Sequence, residues 1–154
     1  MILATPLVAG DAEGPPLELK TPLSFWGGLD ITTGEVMDRH HPEFGKSLAG
    51  AMLMMEQGRG SSSGSSVLAE AIRIGTAPAA ILLGKRDAII VTGAMVAAEL
   101  YGRHCPVILI ENAADWHRIA ACAWLRLSCH EGEATLDVSE PCSAPRAFPT
   151  VRKV

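Results

Sequence analysis

The sequence of 154 residues lacks long apolar runs, clusters of basic residues and a basic amino-terminal leader. No segment approaches the ~20 uninterrupted apolar residues of a membrane-spanning helix, and Met1–Pro6 lacks the basic start of a secretory signal peptide. The formal net charge is −4, and the Lys and Arg residues are dispersed. Such a charge pattern disfavours nucleic acid and anionic membranes as partners. We therefore expect a cytoplasmic protein that binds neither.

Closely spaced cysteine pairs are also missing. Cys105, Cys122, Cys129 and Cys142 include no C-x-x-C pair, and no histidine stands at a matching spacing. Zinc or iron–sulfur ligation by these residues is therefore disfavoured. Cys105 and Cys122 lie in apolar, strand-like segments, where a free thiol packs as a small hydrophobic group. For these two cysteines the sequence predicts packing.

The most informative segment present is Gly58–Ser66, which consists almost entirely of Gly and Ser. The preceding run Leu48–Met55 is typical of a strand buried on both faces. The following residues repeat apolar side chains at helical spacing up to Ile74, and Gly75 is a natural helix stop. A loop in that position presents free N–H groups and hydroxyls at the positive end of a helix. The pattern predicts a site for an anion.

Three known loop chemistries can be compared with this segment. No Lys follows Gly64, so the phosphate loop of nucleotide hydrolases is absent. The dinucleotide fingerprint G-x-G-x-x-G fails because position 63 is Ser. The elbow motif G-x-S-x-G is matched by residues 60–64 and would make Ser62 a nucleophile. A match in so serine-rich a run is unspecific, and a solvated Gly/Ser turn stays open as an alternative.

The order of apolar runs and turn residues predicts an α/β fold. Strands are predicted at Ile2–Ala9, Leu17–Lys20, Leu48–Met55, 79–83 and Val107–Ile110, and helices at 66–74 and about 93–101. The alternation in the middle of the chain predicts parallel crossovers. Hairpins are predicted between the first two strands and, about Glu131–Gly132, between Cys122–Leu127 and Ala134–Val138. These hairpins predict a second, antiparallel layer.

Several spaced motifs follow one another along the chain: Pro22–Asp30, Asp38–Pro42, Gly45–Gly50, Gly58–Ser66 and Gly75–Ala80. Read together, they resemble the small, swivelling subunit of the aconitase X family. The resemblance covers Ile2–Val138 and implies a swivelling β/β/α domain, with a central parallel sheet and a second antiparallel layer. We assign residues 1–140 to this domain and 141–154 to a C-terminal tail.

The resemblance also implies a dehydratase built from two parts. This chain would close over a large subunit that carries an iron or iron–sulfur centre, and it would hold no cofactor itself. By the family's loop motif, Ser61 would be the catalytic base. The small hydroxy-acid substrate would be held by Arg59, Gly60, Ser62, Ser63 and Gly64. The aconitases proper have an Arg soon after their paired serines, so a carboxylate-clamping Arg must come from elsewhere.

The resemblance leaves the substrate open. Bacterial members of the family dehydrate cis-3-hydroxy-L-proline, and archaeal members dehydrate 5-phosphomevalonate. A phosphate would call for additional Lys or Arg, and only Arg59, Arg39 and Lys46 lie near the loop. The sequence therefore favours cis-3-hydroxy-L-proline.

Other classes of function also remain open. One is a small serine hydrolase using Ser62 with His117 or His130, and another is a module that only binds an anion.

Trp26 either docks on the large subunit or packs in its own loop. For His40 and His41 a surface turn is favoured over contact with substrate or metal.

Overall fold

The computed structural model describes residues 1–139 as eight strands and four helical segments. The strands are β1 (Ile2–Val8), β2 (Gly10–Gly14), β3 (Pro16–Leu19), β4 (Met52–Met55), β5 (Ala80–Leu83), β6 (Val107–Leu109), β7 (Trp124–His130) and β8 (Glu133–Ser139). The helical segments are α1 (Phe25–Gly28), α2 (Ser63–Ile74), α3 (Ala88–Tyr101) and α4 (Ala113–Ala121). Of these, α1 is a single irregular turn, because Gly27 has a φ of 75° within it. The predicted tail at 141–154 lies outside the described residues.

The strands follow the order β2-β7-β8-β1-β6-β5-β4-β3. Strands β3, β4, β5 and β6 are parallel, and this central sheet is linked through α2 and α3. Strand β1 joins the two parts of the sheet. Its first residues pair with β8 and its later residues with β6, both antiparallel, with an irregularity between Pro6 and Val8. The predicted parallel core with an added antiparallel layer is confirmed.

Side chains alternate along the central strands between two hydrophobic cores. Leu53 and Met55 of β4 point to the core that α2 and α3 cover. Met52 and Met54 point to the opposite core, which β7, β8 and α4 cover. Both sets are buried, as a parallel sheet covered on both faces requires. The result is the β/β/α layering that the sequence predicts.

A glycine allows the two covering helices to approach closely. A Cβ on Gly93 of α3 would lie 2.7 Å from the Ser65 carbonyl oxygen of α2. Only a residue without a side chain fits there. This contact fixes the first turn of α2 against α3.

None of the helices within residues 1–139 combines the length and hydropathy needed to cross a membrane.

The terminal hairpin is confirmed, since β7 and β8 pair from Trp124–Ser139 to His130–Glu133. The first predicted hairpin is wrong. Its connecting segment is itself a strand, β2, which pairs with β7, while β3 pairs in parallel with β4. The sequence of β2, GDAEG, has low intrinsic strand preference. Strand β2 pairs with a strand more than 100 residues later in the chain. No local sequence pattern therefore indicates this pairing.

The helices also differ from the prediction, and α2 begins at Ser63 rather than at 66. Helix α3 begins at Ala88 rather than near 93, because the Asp87 carboxylate caps its first amides. Helix α4 was not predicted at all. Its signals were nevertheless present in the sequence: Asn112 at the N-cap and apolar Trp116, Ile119 and Ala120 at helical spacing.

Candidate active site

The Gly/Ser loop lies where β4 ends and α2 begins, as the sequence predicts. Because β3, β4, β5 and β6 are parallel, the segments that follow them emerge at the same edge of the sheet. In open α/β sheets, ligands bind at this carboxyl edge. The loop therefore occupies the part of the fold where a binding site is expected.

Three contacts hold the loop in place. The Gly58 N–H donates to Asp87 Oδ2 at 3.0 Å, and the Arg59 N–H donates to the Leu23 carbonyl at 3.1 Å. Gly60 has a φ of 100°, and a Cβ there would collide with Ser24 Oγ. A side chain at position 60 is therefore excluded by both backbone conformation and space. The loop has a defined conformation ahead of its serines.

The first turn of α2 leaves polar groups free. Ser62 occupies the N-cap position without a capping bond from its side chain. Within residues 1–139, the hydroxyls and backbone N–H groups of Ser61, Ser62 and Ser63 donate no hydrogen bond. By contrast, the hydroxyls of Ser65 and Ser66 donate back to the carbonyls of Ser62 and Ser63, at 2.7 and 2.8 Å. A cluster of free donors at a helix N-terminus favours an anion.

The other predicted binding residues differ in their surroundings. Gly64 is buried, and its N–H donates to the Ser61 carbonyl at 3.0 Å. Arg59 is exposed and lies 3.4 Å from the Asp38 carboxylate through its Nη2 atom. An exposed pair at that distance contributes little to stability. The Arg59 guanidinium is therefore available to exchange Asp38 for a ligand carboxylate.

The two adjacent histidines have different roles from each other. His41 is only 5% exposed. Its Nε2–H donates to the Thr21 carbonyl at 3.0 Å, and its Nδ1 accepts from the Glu43 N–H at 3.0 Å. Both ring nitrogens are thus used to fold the segment, while His40 is exposed. The prediction of a surface turn is correct for His40 and wrong for His41, whose ring the turn encloses.

The serine-hydrolase alternative is not supported by the geometry. Within the described part of the chain, no histidine hydrogen-bonds to Ser62. His130 Nε2 lies 3.0 Å from Ser128 Oγ and 3.5 Å from Asp11 Oδ1, and His117 is exposed on α4, across the sheet from α2. A triad uses the two ring nitrogens for serine and aspartate separately. At His130, by contrast, Ser128 Oγ and Asp11 Oδ1 both lie near the same ring nitrogen, Nε2.

Cys105 and Cys129 are buried packing residues, and Cys122 is partly buried against the same core as Cys129. Burial raises the pKa of the Cys105 thiol to about 12. Burial, aided by the charge of Asp11, also raises the pKa of Cys129. Both thiols therefore stay neutral at pH 7 and are poor nucleophiles and metal ligands. Cys142 lies outside the described residues.

A depression of about 390 Å³ lies at the same edge of the sheet, lined by residues such as Lys20, Glu56 and Trp116. None of the loop serines contributes to it. The Ser61, Ser62 and Ser63 side chains instead stand exposed. A site that must exclude water around these serines needs a covering surface from elsewhere.

Residues 1–136 match the family model described as the aconitase X swivel domain. The chain is 46% identical over 144 residues to a cis-3-hydroxy-L-proline dehydratase of Pseudomonas aeruginosa, covering 94% of this chain and 24% of that protein. It is 35% identical over 127 residues to a phosphomevalonate dehydratase small subunit of Thermococcus gammatolerans, covering 82% and 90%. The chain thus spans about a quarter of the bacterial relative and most of the archaeal one.

Solved structures agree with this assignment. The holo-form of Thermococcus kodakaraensis aconitase X matches with a TM-score of 0.70 and 29% identity, covering 87% of this chain and 96% of that one. The solution structure of a UPF0107 protein matches with a TM-score of 0.72 and 31% identity, covering 88% and 98%. The layered fold, the serine loop and these similarities lead to one conclusion. The chain belongs to the aconitase X swivel-domain family.

Proposed function

We propose that this chain is the serine-supplying part of a two-part hydro-lyase that dehydrates cis-3-hydroxy-L-proline. The observation that carries the proposal is the free Ser61 hydroxyl beside free backbone amides at the start of α2. The 46% identity to a protein of that name, over 94% of this chain, supports it. A cytoplasmic location is part of the same proposal.

Ser61 acts as the base. A serine hydroxyl is a poor base until its alkoxide is stabilised. The free amides of Ser62 and Ser63, at the positive end of α2, stabilise negative charge nearby. A closed site that excludes water strengthens this effect. The loop thus has the groups that a serine base requires.

The reaction removes one water molecule. The Ser61 alkoxide takes the proton from C2 of the imino acid, next to the carboxylate, and the C3–O bond breaks. The leaving hydroxyl takes up one proton, which balances the proton that Ser61 gives up in forming its alkoxide, and departs as water. The C2=C3 enamine then tautomerises, with the nitrogen proton replaced by one on C3, to the cyclic imine pyrroline-2-carboxylate. Throughout, the substrate carboxylate is held by the hydroxyls of Ser62 and Ser63 and by the Arg59 guanidinium, which exchanges Asp38 for the substrate.

The metal centre is assigned to the large subunit. Within residues 1–139 no three His, Cys, Asp or Glu side chains converge as metal ligands would. An iron or iron–sulfur centre supplies the Lewis acidity that helps the hydroxyl to leave. This chain's own contribution is the base and the carboxylate site.

The partner covers an apolar patch beside the loop, formed by Trp26, Met37 and Phe44 (the Trp26 patch). These side chains are 62%, 49% and 54% exposed. The Met37 N–H donates to the Gly28 carbonyl at 2.8 Å, which places Met37 next to the α1 turn. The Trp26 backbone also lies about 4 Å from where a Cβ of Gly64 would be, at the start of α2. Trp, Phe and Met are enriched at protein interfaces.

We predict that Trp26→Ala weakens binding of the large subunit by about 30-fold, the effect of losing a ~2 kcal/mol hot spot. Leu100→Ala is the matched control. Leu100 is also exposed, at 69%, but it lies near the C-terminal end of α3, away from the loop. Calorimetric titration of each variant into the large subunit measures the effect. Equal affinities for the two variants, or weaker binding by the Leu100 variant, would contradict the predicted docking surface.

The charges around the loop favour a substrate without phosphate. Arg59 lies beside Asp38, Lys46 beside Glu43, and Lys85 2.6 Å from Glu56. These three cations thus already have carboxylate partners, whereas Arg39 forms no ion pair within residues 1–139. A phosphate brings about two further negative charges and calls for dedicated Lys or Arg. Of the cations that the sequence places near the loop, only Arg39 is left to meet that charge within the described residues.

Phosphomevalonate dehydration is the second candidate, because the chain covers 90% of an archaeal small subunit of that name. We predict that the reconstituted pair converts cis-3-hydroxy-L-proline to pyrroline-2-carboxylate and leaves 5-phosphomevalonate unchanged. Chromatography of parallel incubations checks both products. Turnover of 5-phosphomevalonate alone would assign the second function instead.

A further inference from the structure

Asp87 connects the serine loop to the neighbouring helix. It lies between β5 and α3, and its Oδ1 accepts from the N–H groups of Ile89 and Ile90, at 2.9 and 3.2 Å. Its Oδ2 accepts from the Gly58 N–H at 3.0 Å. One carboxylate therefore binds both the start of α3 and Gly58 of the serine loop, which is 29 residues away in sequence.

Capping α3 does not require both oxygens of this carboxylate. Asn and Ser cap helices about as well as Asp, and here Oδ1 alone makes both capping bonds. Within the described residues Asp87 forms no salt bridge, and its neighbour Lys85 pairs with Glu56. The second oxygen therefore has one observed use, which is to hold Gly58.

The contact is also close enough to control the loop. A Cβ on Gly58 would lie 3.0 Å from Asp87 Oδ2 and 3.1 Å from Ile90 Cδ1. A side chain at position 58 would thus press on the Asp87 carboxylate. Gly58 precedes Ser61 by three residues in the same loop, and Gly60 between them lies too close to Ser24 to carry a side chain. Loss of the Gly58 contact would therefore release the backbone that leads to Ser61.

We propose that Asp87 is a positioning residue, whose Oδ2 holds the loop so that Ser61 meets the substrate in a productive geometry. This inference rests on the proposed dehydration. It assigns Asp87 no contact with the substrate. Its effect on the reaction is transmitted through the Gly58 amide.

Two variants separate positioning from capping. Asp87→Asn preserves size and cap but presents an amide N–H₂ to the Gly58 N–H. Asp87→Ser keeps one oxygen atom. That oxygen can accept from the α3 amides but cannot also accept from the Gly58 N–H. In the reconstituted enzyme, each variant should lower kcat by about 100-fold, the typical effect of misplacing a reacting group by ~1 Å. KM and the melting temperature should change little.

Asn112→Asp is the matched control. Asn112 caps α4 through Oδ1, which accepts from the Ala114 and Asp115 N–H groups at 2.8 and 3.4 Å. Its side chain contacts no residue of the serine loop through a hydrogen bond. The exchange of Asn for Asp at this cap should leave kcat and KM at their wild-type values.

Hydrogen exchange of the isolated chain tests positioning without any turnover. In both Asp87 variants, the Gly58 and Arg59 amides, which are hydrogen-bonded in the wild type, should exchange faster, while α3 amides keep wild-type protection. Wild-type loop exchange and kcat in Asp87→Ser would overturn the proposal. Equal loss of protection in α3 and the loop would also overturn it, since Asp87 would then be only a helix cap. If the wild-type pair dehydrates nothing, the proposed function fails, while loop exchange still decides whether Asp87 holds the loop.

Discussion

Replacement of Ser61 by alanine should lower turnover by about 10³- to 10⁴-fold, near the upper range for the loss of a general base. The melting temperature should stay close to that of the wild type. Ser61 is exposed, and its hydroxyl donates no hydrogen bond to residues 1–139. Its removal therefore leaves neither a cavity nor a buried polar group without a partner.

Ser62→Ala is the comparison that tests the choice of serine. Ser62 shares the exposure of Ser61 and makes no capping bond with its side chain. It is assigned to carboxylate binding, so its loss should raise KM more than it lowers kcat. Steady-state kinetics of both variants, with melting curves, give the answer. An inactive Ser62 variant beside a nearly wild-type Ser61 variant would show that the base is one residue further along.

The isolated chain should fold and show no dehydratase activity. The loop stands exposed, and under the proposal this chain supplies the base and the carboxylate site while the large subunit supplies the metal centre. Addition of the large subunit should restore turnover from background to the full rate. In a fused form, the remainder of the polypeptide takes the place of that subunit and can be produced separately.

The measurement is imine formation from cis-3-hydroxy-L-proline by the chain, by the large subunit and by their mixture. Circular dichroism of the isolated chain is the control that it is folded. Full activity from the isolated chain would contradict the two-part account. Full activity from the large subunit alone would contradict it equally, because the serine base would then be dispensable.

The serine loop could be predicted because its signals are local. An apolar run ending at Met55, a Gly/Ser stretch and a helical repeat up to Ile74 are adjacent in sequence, and each pattern has one structural meaning. Helix α4 had equally local signals in Asn112 and Trp116. Nevertheless, no element is predicted between Ile110 and Cys122.

The contacts that place the loop could not be predicted, because they join distant parts of the chain. Asp87 holds Gly58 across 29 residues. His41 reaches Thr21 across 20 residues, which explains why a residue in a polar turn is buried. Strand β2 pairs with β7 despite a sequence with little strand preference. Such contacts depend on the assembled sheet and have no signature in local composition.

The central claim is that this chain brings the base to a site that the large subunit completes. The most direct measurement titrates wild-type chain and its Ser61→Ala variant separately into the same large subunit, following binding and imine formation together. The account predicts equal affinity and stoichiometry for both chains, with turnover that rises to saturation only for the wild type. Turnover by the Ser61 variant within a few-fold of the wild type, at equal binding, would contradict it.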